Sequence, residues 1–172
     1  MKLSMKLAPA VVALLLSGAS PAAAVTLSTN FGVHDGWQVY STTGGQCFMD
    51  ASFAGTKITI YSTPDSPNEV SFAIQSPAWR SLVVGQKHPL RIELDNRSED
   101  TTGIVMPAIG GGVWIAFGVN RASLGAFIAS ERKLAVSTGD KTLISLRERA
   151  IDASYVFSRC ANQMAQGDPF AR

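Results

Sequence analysis

Side chains that bind metals or act as bases are scarce in this chain of 172 residues, which has two cysteines and two histidines. Cys47 and Cys160 do not form a CxxC motif, and two thiolates with scattered histidines make a poor zinc site. No ligand spacing supports a site built from His34, Asp35 and His88. The sequence therefore predicts no metal and no cofactor.

A complete catalytic motif is also missing. A serine hydrolase needs a nucleophile, a base and an orienting group, and the pattern GxSxG is only nearly met around Ser123, because Arg121 replaces the first glycine. The glycines at 110–112 precede an apparent strand and lack the Lys-Ser/Thr of a phosphate-binding loop, so we predict a turn there. The carboxylates are scattered along the chain. We therefore predict no catalytic residues.

Long hydrophobic runs are absent except near the start of the chain. Residues 7–16 are largely apolar, follow Lys2 and Lys6, and precede three alanines that end at Ala24. The run is shorter than the roughly 20 residues that span a bilayer. Positive charge, a short apolar run and small residues in this order are typical of a secretory signal peptide. We expect cleavage near Ala24 and export to the periplasm or the cell surface.

The predicted organisation has three parts, which are a signal peptide over 1–24, a single β-rich domain over 25–163 and a flexible C-terminal tail over 164–172. No later stretch reaches about 18 consecutive apolar residues, so we predict no transmembrane segment in the mature chain. Loss of Lys2 and Lys6 takes Lys and Arg from 15 to 13, against 13 Asp and Glu. A mature chain without net charge has no general attraction for nucleic acid or anionic lipid, and we predict no nucleic-acid partner.

The two cysteines are predicted to form a disulfide, because an isolated pair in an exported chain is most simply a bridge. Cys47 and Cys160 are 113 positions apart. A loop of that length corresponds to about 4–5 kcal/mol in the chain-entropy model. A reactive thiol or a metal site is the alternative.

Short segments that alternate apolar and polar residues predict half-buried strands. Their apolar faces comprise Trp37, Val39 and Ser41; Cys47, Met49, Ala51 and Phe53; Ile58 and Ile60; Val70, Phe72 and Ile74; Leu90, Ile92 and Leu94; and Val113, Ile115, Phe117 and Val119. Residues 25–36 are interpreted as a lead-in that ends in a turn, and Trp114 as a core residue. Because strands and helices do not alternate, we predict a mostly β protein, with an antiparallel β-sandwich or barrel-like core.

The C-terminal third is predicted to add one or two short helices. The first would cover residues 120–130, and the second residues 148–162 with Ile151, Tyr155, Val156 and Cys160 facing inward. Between them, Thr138-Gly139-Asp140 is typical of a hairpin turn.

Two irregular segments make up the candidate binding surface. In residues 76–81, Trp79 stands beside Arg80, and an aromatic residue next to arginine in a loop is a common binding anchor. The alternative is that Trp79 folds back and seals one end of the core. Residues 96–103 are polar and are predicted to form an exposed loop that presents Glu99 and Asp100.

One family resemblance accompanies this pattern. It is carried by Trp37-Gln38-Val39, Cys47 ten residues after Trp37, residues 124–130, Leu134-Ala135-Val136, the Gly139-Asp140 turn, residues 143–146 and a final helix with Cys160. Their order resembles small periplasmic proteins of alphaproteobacteria, including the invasion-associated locus B family. The resemblance implies a β-sandwich-like domain, and it implies neither a catalytic activity nor catalytic residues.

These observations favour an exported, non-enzymatic binding or interaction protein with an unknown protein or cell-envelope partner. A periplasmic hydrolase of unrecognised type is the alternative. The oligomeric state is open.

Overall fold

The computed structural model describes residues 27–66, 68–94, 97–108, 111–122, 124–125, 134–146 and 150–165. The predicted signal peptide lies outside these residues, as does the predicted tail beyond Ala165. The described elements are the strands β1 (Leu27–His34), β2 (Trp37–Thr42), β3 (Cys47–Phe53), β4 (Thr56–Ser62), β5 (Glu69–Gln75), β6 (Lys87–Leu94), β7 (Arg97–Pro107), β8 (Val113–Asn120), β9 (Leu134–Thr138) and β10 (Lys141–Leu146), and the helix α1 (Ile151–Ala165).

All ten strands belong to one antiparallel sheet in the order β1-β2-β3-β4-β5-β8-β7-β6-β9-β10. The sheet curls into a half-barrel. The prediction of a mostly antiparallel β protein is confirmed, but the two-sheet sandwich is not. The reason is β5, which pairs with β4 along one edge and with β8 along the other. Both halves of the chain therefore share one continuous hydrogen-bond ladder.

One face of the sheet, called here the core face, carries the hydrophobic core. The alternating apolar residues predicted from the sequence lie on it, and Trp37, Met49, Ile60, Phe72 and Ile92 are almost fully buried. A side chain cannot replace hydrogen at Gly103 of β7, because its Cβ would lie 2.5 Å from Ile115 and 2.6 Å from Leu90. Those two side chains pack together through the space that the glycine leaves.

The helix α1 covers the first part of the sheet, where it contacts β1, β2 and β3. The predicted disulfide is present and joins Cys47 of β3 to Cys160 of α1, with the Cα atoms 6.0 Å apart. At the start of the helix, the backbone amide of Asp152 donates to the Asp35 carboxylate at 2.9 Å. Because amides at a helix N-terminus lack partners within the helix, Asp35 ties the β1–β2 turn to α1.

The predicted inward stripe of this helix is partly wrong. Ile151 and Tyr155 are exposed, whereas the buried face comprises Ala153, Phe157, Cys160 and Ala161, and Ala150 just before the helix is also buried. Small alanines let the helix approach the sheet closely. The larger apolar side chains at 151 and 155 are left on the solvent side.

Three further predictions are corrected by the strands. The lead-in at 25–36 contains β1, and the loop at 96–103 is mostly β7, because its polar side chains lie on an exposed part of the sheet. Trp114 is half-buried on the outer face, opposite to the core face, since it alternates with the buried Ile115.

The glycine turn is confirmed, because Gly111 donates to the carbonyl of Ala108 at 3.2 Å.

In the predicted helix over 120–130, residues 121–122 and 124–125 are helical, whereas Asn120 is the last residue of β8. Among the described residues, no helix has the length and hydrophobicity needed to cross a membrane.

Candidate binding cleft

The connection between β5 and β6, residues 76–86, forms the candidate site. It is held at both ends by backbone hydrogen bonds. Near its start, the Trp79 amide donates to the carbonyl of Ser76 at 3.1 Å. Near its end, Gly85 donates to Val105 of β7 at 2.8 Å, and the Val105 amide returns a bond to Gln86 at 2.9 Å. Trp79 is therefore carried by an ordered connection.

Cavities lie on both sides of Trp79. The first has a volume of about 580 Å³ and is lined by Ala78, Trp79, Ser81, Leu82, His88, Ile115, Thr138, Gly139, Asp140, Lys141 and Leu143. The second has about 510 Å³ and is lined by Gln75, Ser76, Pro77, Trp79, Arg80, Leu82, Gly111, Gly112 and Val113. Trp79 and Leu82 line both and form the wall between them. These two cavities are called the Trp79 cleft below.

The Trp79 side chain is half-buried and packs against the core. This packing is the one expected if Trp79 seals the core, and the rest of the side chain lines the two cavities. Arg80 is exposed at the second cavity. Its guanidinium can meet a polar group of a ligand whose apolar part contacts the indole.

The first cavity combines apolar walls with several polar side chains. His88 is among them, and its Nε2 atom is buried without a hydrogen-bond partner. Ser81 and Asp140 line the same cavity. These are the residue types of a serine hydrolase triad, which requires hydrogen bonds between neighbouring members. Among the hydrogen bonds of the described residues, none joins the three.

Glu99 and Asp100, the other part of the predicted surface, lie at the far end of the strands. Glu99 lines a separate cavity of about 410 Å³ with Glu69 and Asn120, whereas Trp79 lies beyond the opposite end of β5. β5 is seven residues long, so its two ends are about 20 Å apart. Asp100 is exposed and pairs with Arg91 at 3.5 Å. The predicted residues therefore do not form one surface.

The histidines are not brought together either. The Nε2 atom of His34 is 2.9 Å from the carbonyl oxygen of Phe31, which is a local contact within β1. Six strands separate β1, which carries His34, from β6, which carries His88. The described residues contain no group of three or more His, Cys, Asp or Glu side chains that could hold a metal ion. Ser123 lies outside the described residues.

Sequence reasoning missed the contribution of the β9–β10 hairpin to the cleft. Its turn was predicted from Thr138-Gly139-Asp140, and the structure confirms that turn. Its position beside Trp79 follows from the pairing of β9 with β6. No local sequence signal predicts that pairing, because the two strands are more than forty positions apart for most of their paired residues, as for Arg91 and Ser137.

No protein-family model matches the chain, and no curated protein matches it. Among solved structures, invasion-associated protein B from Bartonella henselae is similar, with a TM-score of 0.55 and 12% sequence identity. The match covers 78% of this chain and 97% of that one. At this identity the similarity concerns the fold alone. In fold, the chain therefore resembles invasion-associated protein B, as the order of its sequence elements predicted.

Proposed function

We propose that this protein is an exported, non-enzymatic binding protein and that its ligand enters the Trp79 cleft. The ligand belongs to a protein or cell-envelope partner. It supplies an apolar group for the indole of Trp79 and a polar group for the side chains at the rim. The periplasm or the cell surface is the proposed location.

One observation carries this proposal, namely that Trp79 stands half-buried between cavities of about 580 and 510 Å³. Each is within the size range of small-ligand sites, which are concave and mostly apolar with a few placed polar groups. A tryptophan with one face free can contribute a large apolar contact without a large loss of side-chain entropy. The similar Bartonella protein is described as invasion-associated, which supports an interaction role.

Site-specific photo-crosslinking in the living cell tests the proposal. A photo-reactive residue replaces Ser81, which is exposed and lines the first cavity. A matched probe replaces Asp100, which is exposed at the other end of the strands. We expect one discrete crosslinked partner from position 81, identified by mass spectrometry. Trp79→Ala in the same chain should abolish that crosslink.

The outcomes separate the alternatives. A partner captured from position 100 and not from position 81 would move the site to the acidic end. Crosslinks that persist unchanged in Trp79→Ala would show that the cleft is not used.

A hydrolase is the second candidate, because Ser81, His88 and Asp140 line one cavity. Hydrogen bonds of a catalytic site can form only when the substrate binds, so the unpartnered His88 is compatible with this candidate. The test is turnover of ester, peptide and glycan substrates by the purified protein. Activity that disappears in both Ser81→Ala and His88→Gln would establish a hydrolase. Equal turnover by these variants would assign the activity to a contaminant.

A further inference from the structure

Large apolar side chains are exposed together at one end of β6 and β7. Val83 is 67% exposed, Val84 55%, Ile104 41% and Met106 45%. Together with the half-buried Trp114, these residues are called here the Val84 patch. Isolated exposed apolar residues are ordinary, but a contiguous group of them marks an interaction surface.

Hydrogen bonds and strand register place these residues side by side. Gln86 donates to the carbonyl of Val83 at 3.0 Å and closes a turn, in which Gly85 has a φ of +86°. The same turn is bonded to Val105 of β7, whose neighbours on the outer face are Ile104 and Met106. Met106 is the cross-strand partner of Trp114. The patch therefore continues from a protruding turn onto the outer face of the sheet.

The charged residues closest to the patch are basic. No Asp or Glu occurs in residues 70–92 or 101–120. Lys87 is the cross-strand partner of Ile104, so its ammonium lies beside the patch, and Arg80 is exposed on the same connection. Neither basic residue forms a salt bridge within the described residues. The hairpin tip nearby adds one charge of each sign, Asp140 and Lys141.

The zero net charge predicted for the mature chain therefore hides an uneven distribution of charge along the strands. At the opposite end, Glu69 and Glu99 line the same cavity, and Asp100 is exposed beside its partner Arg91. An approaching anionic surface would meet the basic end of the molecule first.

We propose that the Val84 patch docks on the surface of an anionic phospholipid bilayer. Val83 and Val84 enter the interface, Lys87 and Arg80 meet the lipid phosphates, and Trp114 lies at headgroup level. Apolar residues combined with basic charge are what interfacial binding requires. A bilayer fits better than an acidic protein, because the two most exposed apolar residues of the patch are valines on a turn, whereas the main contributors to protein interfaces are side chains that fill pockets.

A fluorescent probe at one position tests this docking. Val84→Cys in the full chain is labelled with an environment-sensitive dye, and Val33→Cys is the control because Val33 is 66% exposed on β1. Cys47 and Cys160 do not react, since they are paired. We expect a blue shift at position 84 with vesicles that contain phosphatidylglycerol, and none with phosphatidylcholine vesicles. Position 33 should not respond.

The probe also measures the contribution of charge. Lys87→Gln should weaken the apparent affinity about fivefold, since each basic residue near an anionic surface contributes about that factor. No shift at position 84 would overturn the proposal. So would equal shifts at positions 33 and 84, because the apolar first residues of the chain could then hold it on the vesicles. A shift caused by polyglutamate but not by vesicles would identify an acidic protein partner instead.

Discussion

The two halves of the curled sheet differ in how their core is covered. Over β1, β2 and β3 lies α1, joined to the sheet by the disulfide and by the bond from Asp152 to Asp35. The other half is covered by the connection at 76–86, which leaves the Trp79 cleft. A small cavity of about 110 Å³ lies between Phe31 and Val156 of the first half, against about 580 Å³ beside Trp79.

This difference assigns stability to the first half and the proposed binding to the second half. A helix with small residues on its buried face and a covalent bond to the sheet forms a close-packed frame. A connection without regular structure leaves space and a partly exposed aromatic side chain, which are the features that a ligand can use. We therefore expect changes in the first half to lower stability, and changes in the second half to lower binding at a smaller cost in stability.

The largest expected effect is loss of the disulfide. The double variant Cys47→Ala, Cys160→Ala should lose up to about 4–5 kcal/mol of unfolding free energy, because the bridge restricts a long loop of the unfolded chain. Urea unfolding of the variant, compared with the oxidised protein, measures this loss. Thiol labelling of the unfolded, non-reduced wild type provides the control and should find no free cysteine. A double variant as stable as the oxidised protein would contradict the role of the first half as the frame.

Truncation of the helix core comes next. Phe157 lies on the buried face of α1 and is almost fully buried, so Phe157→Ala should cost about 3–5 kcal/mol through lost burial and the cavity it leaves. Tyr155, two positions away, is 64% exposed, and Tyr155→Ala should stay within about 0.5 kcal/mol of the wild type. Chemical unfolding of both variants makes the comparison. Equal losses would contradict the burial of Phe157 and the exposure of Tyr155.

Trp79→Ala sharpens the contrast between the halves. Trp79 is half-buried with open space on two sides, so its truncation should cost about 1–3 kcal/mol, below the range for a fully buried aromatic residue. The same unfolding experiment measures it. A loss as large as that of Phe157→Ala would assign Trp79 to the core and leave no free face for a ligand.

The parts of the fold that follow local patterns were predictable. Alternation along β2 to β5 identified the buried side chains, because each of those strands has one face on the core. The disulfide was predictable from the number of cysteines and from the predicted export of the chain. The polar run at 96–103 was misassigned, since the start of β7 has exposed residues and therefore lacks the alternation by which a half-buried strand is recognised.

Of the residues at the candidate site, only Trp79 and Arg80 were predicted from the sequence. Their neighbours Asp140 and Lys141 come from a hairpin about sixty positions later in the chain, and strand pairing alone brings them there. Glu99 and Asp100 were wrongly joined to the same surface, because the direction in which β7 crosses the sheet cannot be read from composition.

The smallest expected effect concerns alkaline pH and the outer face of the first half. Burial, then the charge of Asp50, then the hydrogen bond from the Tyr40 hydroxyl to Asp50 raise the pKa of Tyr40 well above its ordinary value of 10.0. Below about pH 10 the tyrosine is protonated in both states, and its contribution to stability is fully present. Above that pH the unfolded chain loses the proton while the folded protein keeps it, so stability falls as pH rises.

The slope of this loss for one group is at most about 1.4 kcal/mol per pH unit, and it is smaller here because water reaches the half-buried Tyr40 and screens Asp50. Unfolding free energies are measured from pH 9 to pH 11, a range that includes the ordinary tyrosine pKa of about 10. They should fall less steeply with rising pH in Tyr40→Phe than in the wild type. Tyr155→Phe, at an exposed position of α1, is the matched control for the loss of a tyrosine hydroxyl. Only the slopes are compared, because Tyr40→Phe also removes a hydrogen bond at every pH. An unchanged slope in Tyr40→Phe would mean that Asp50 and the surrounding strands do not hold the proton on this hydroxyl.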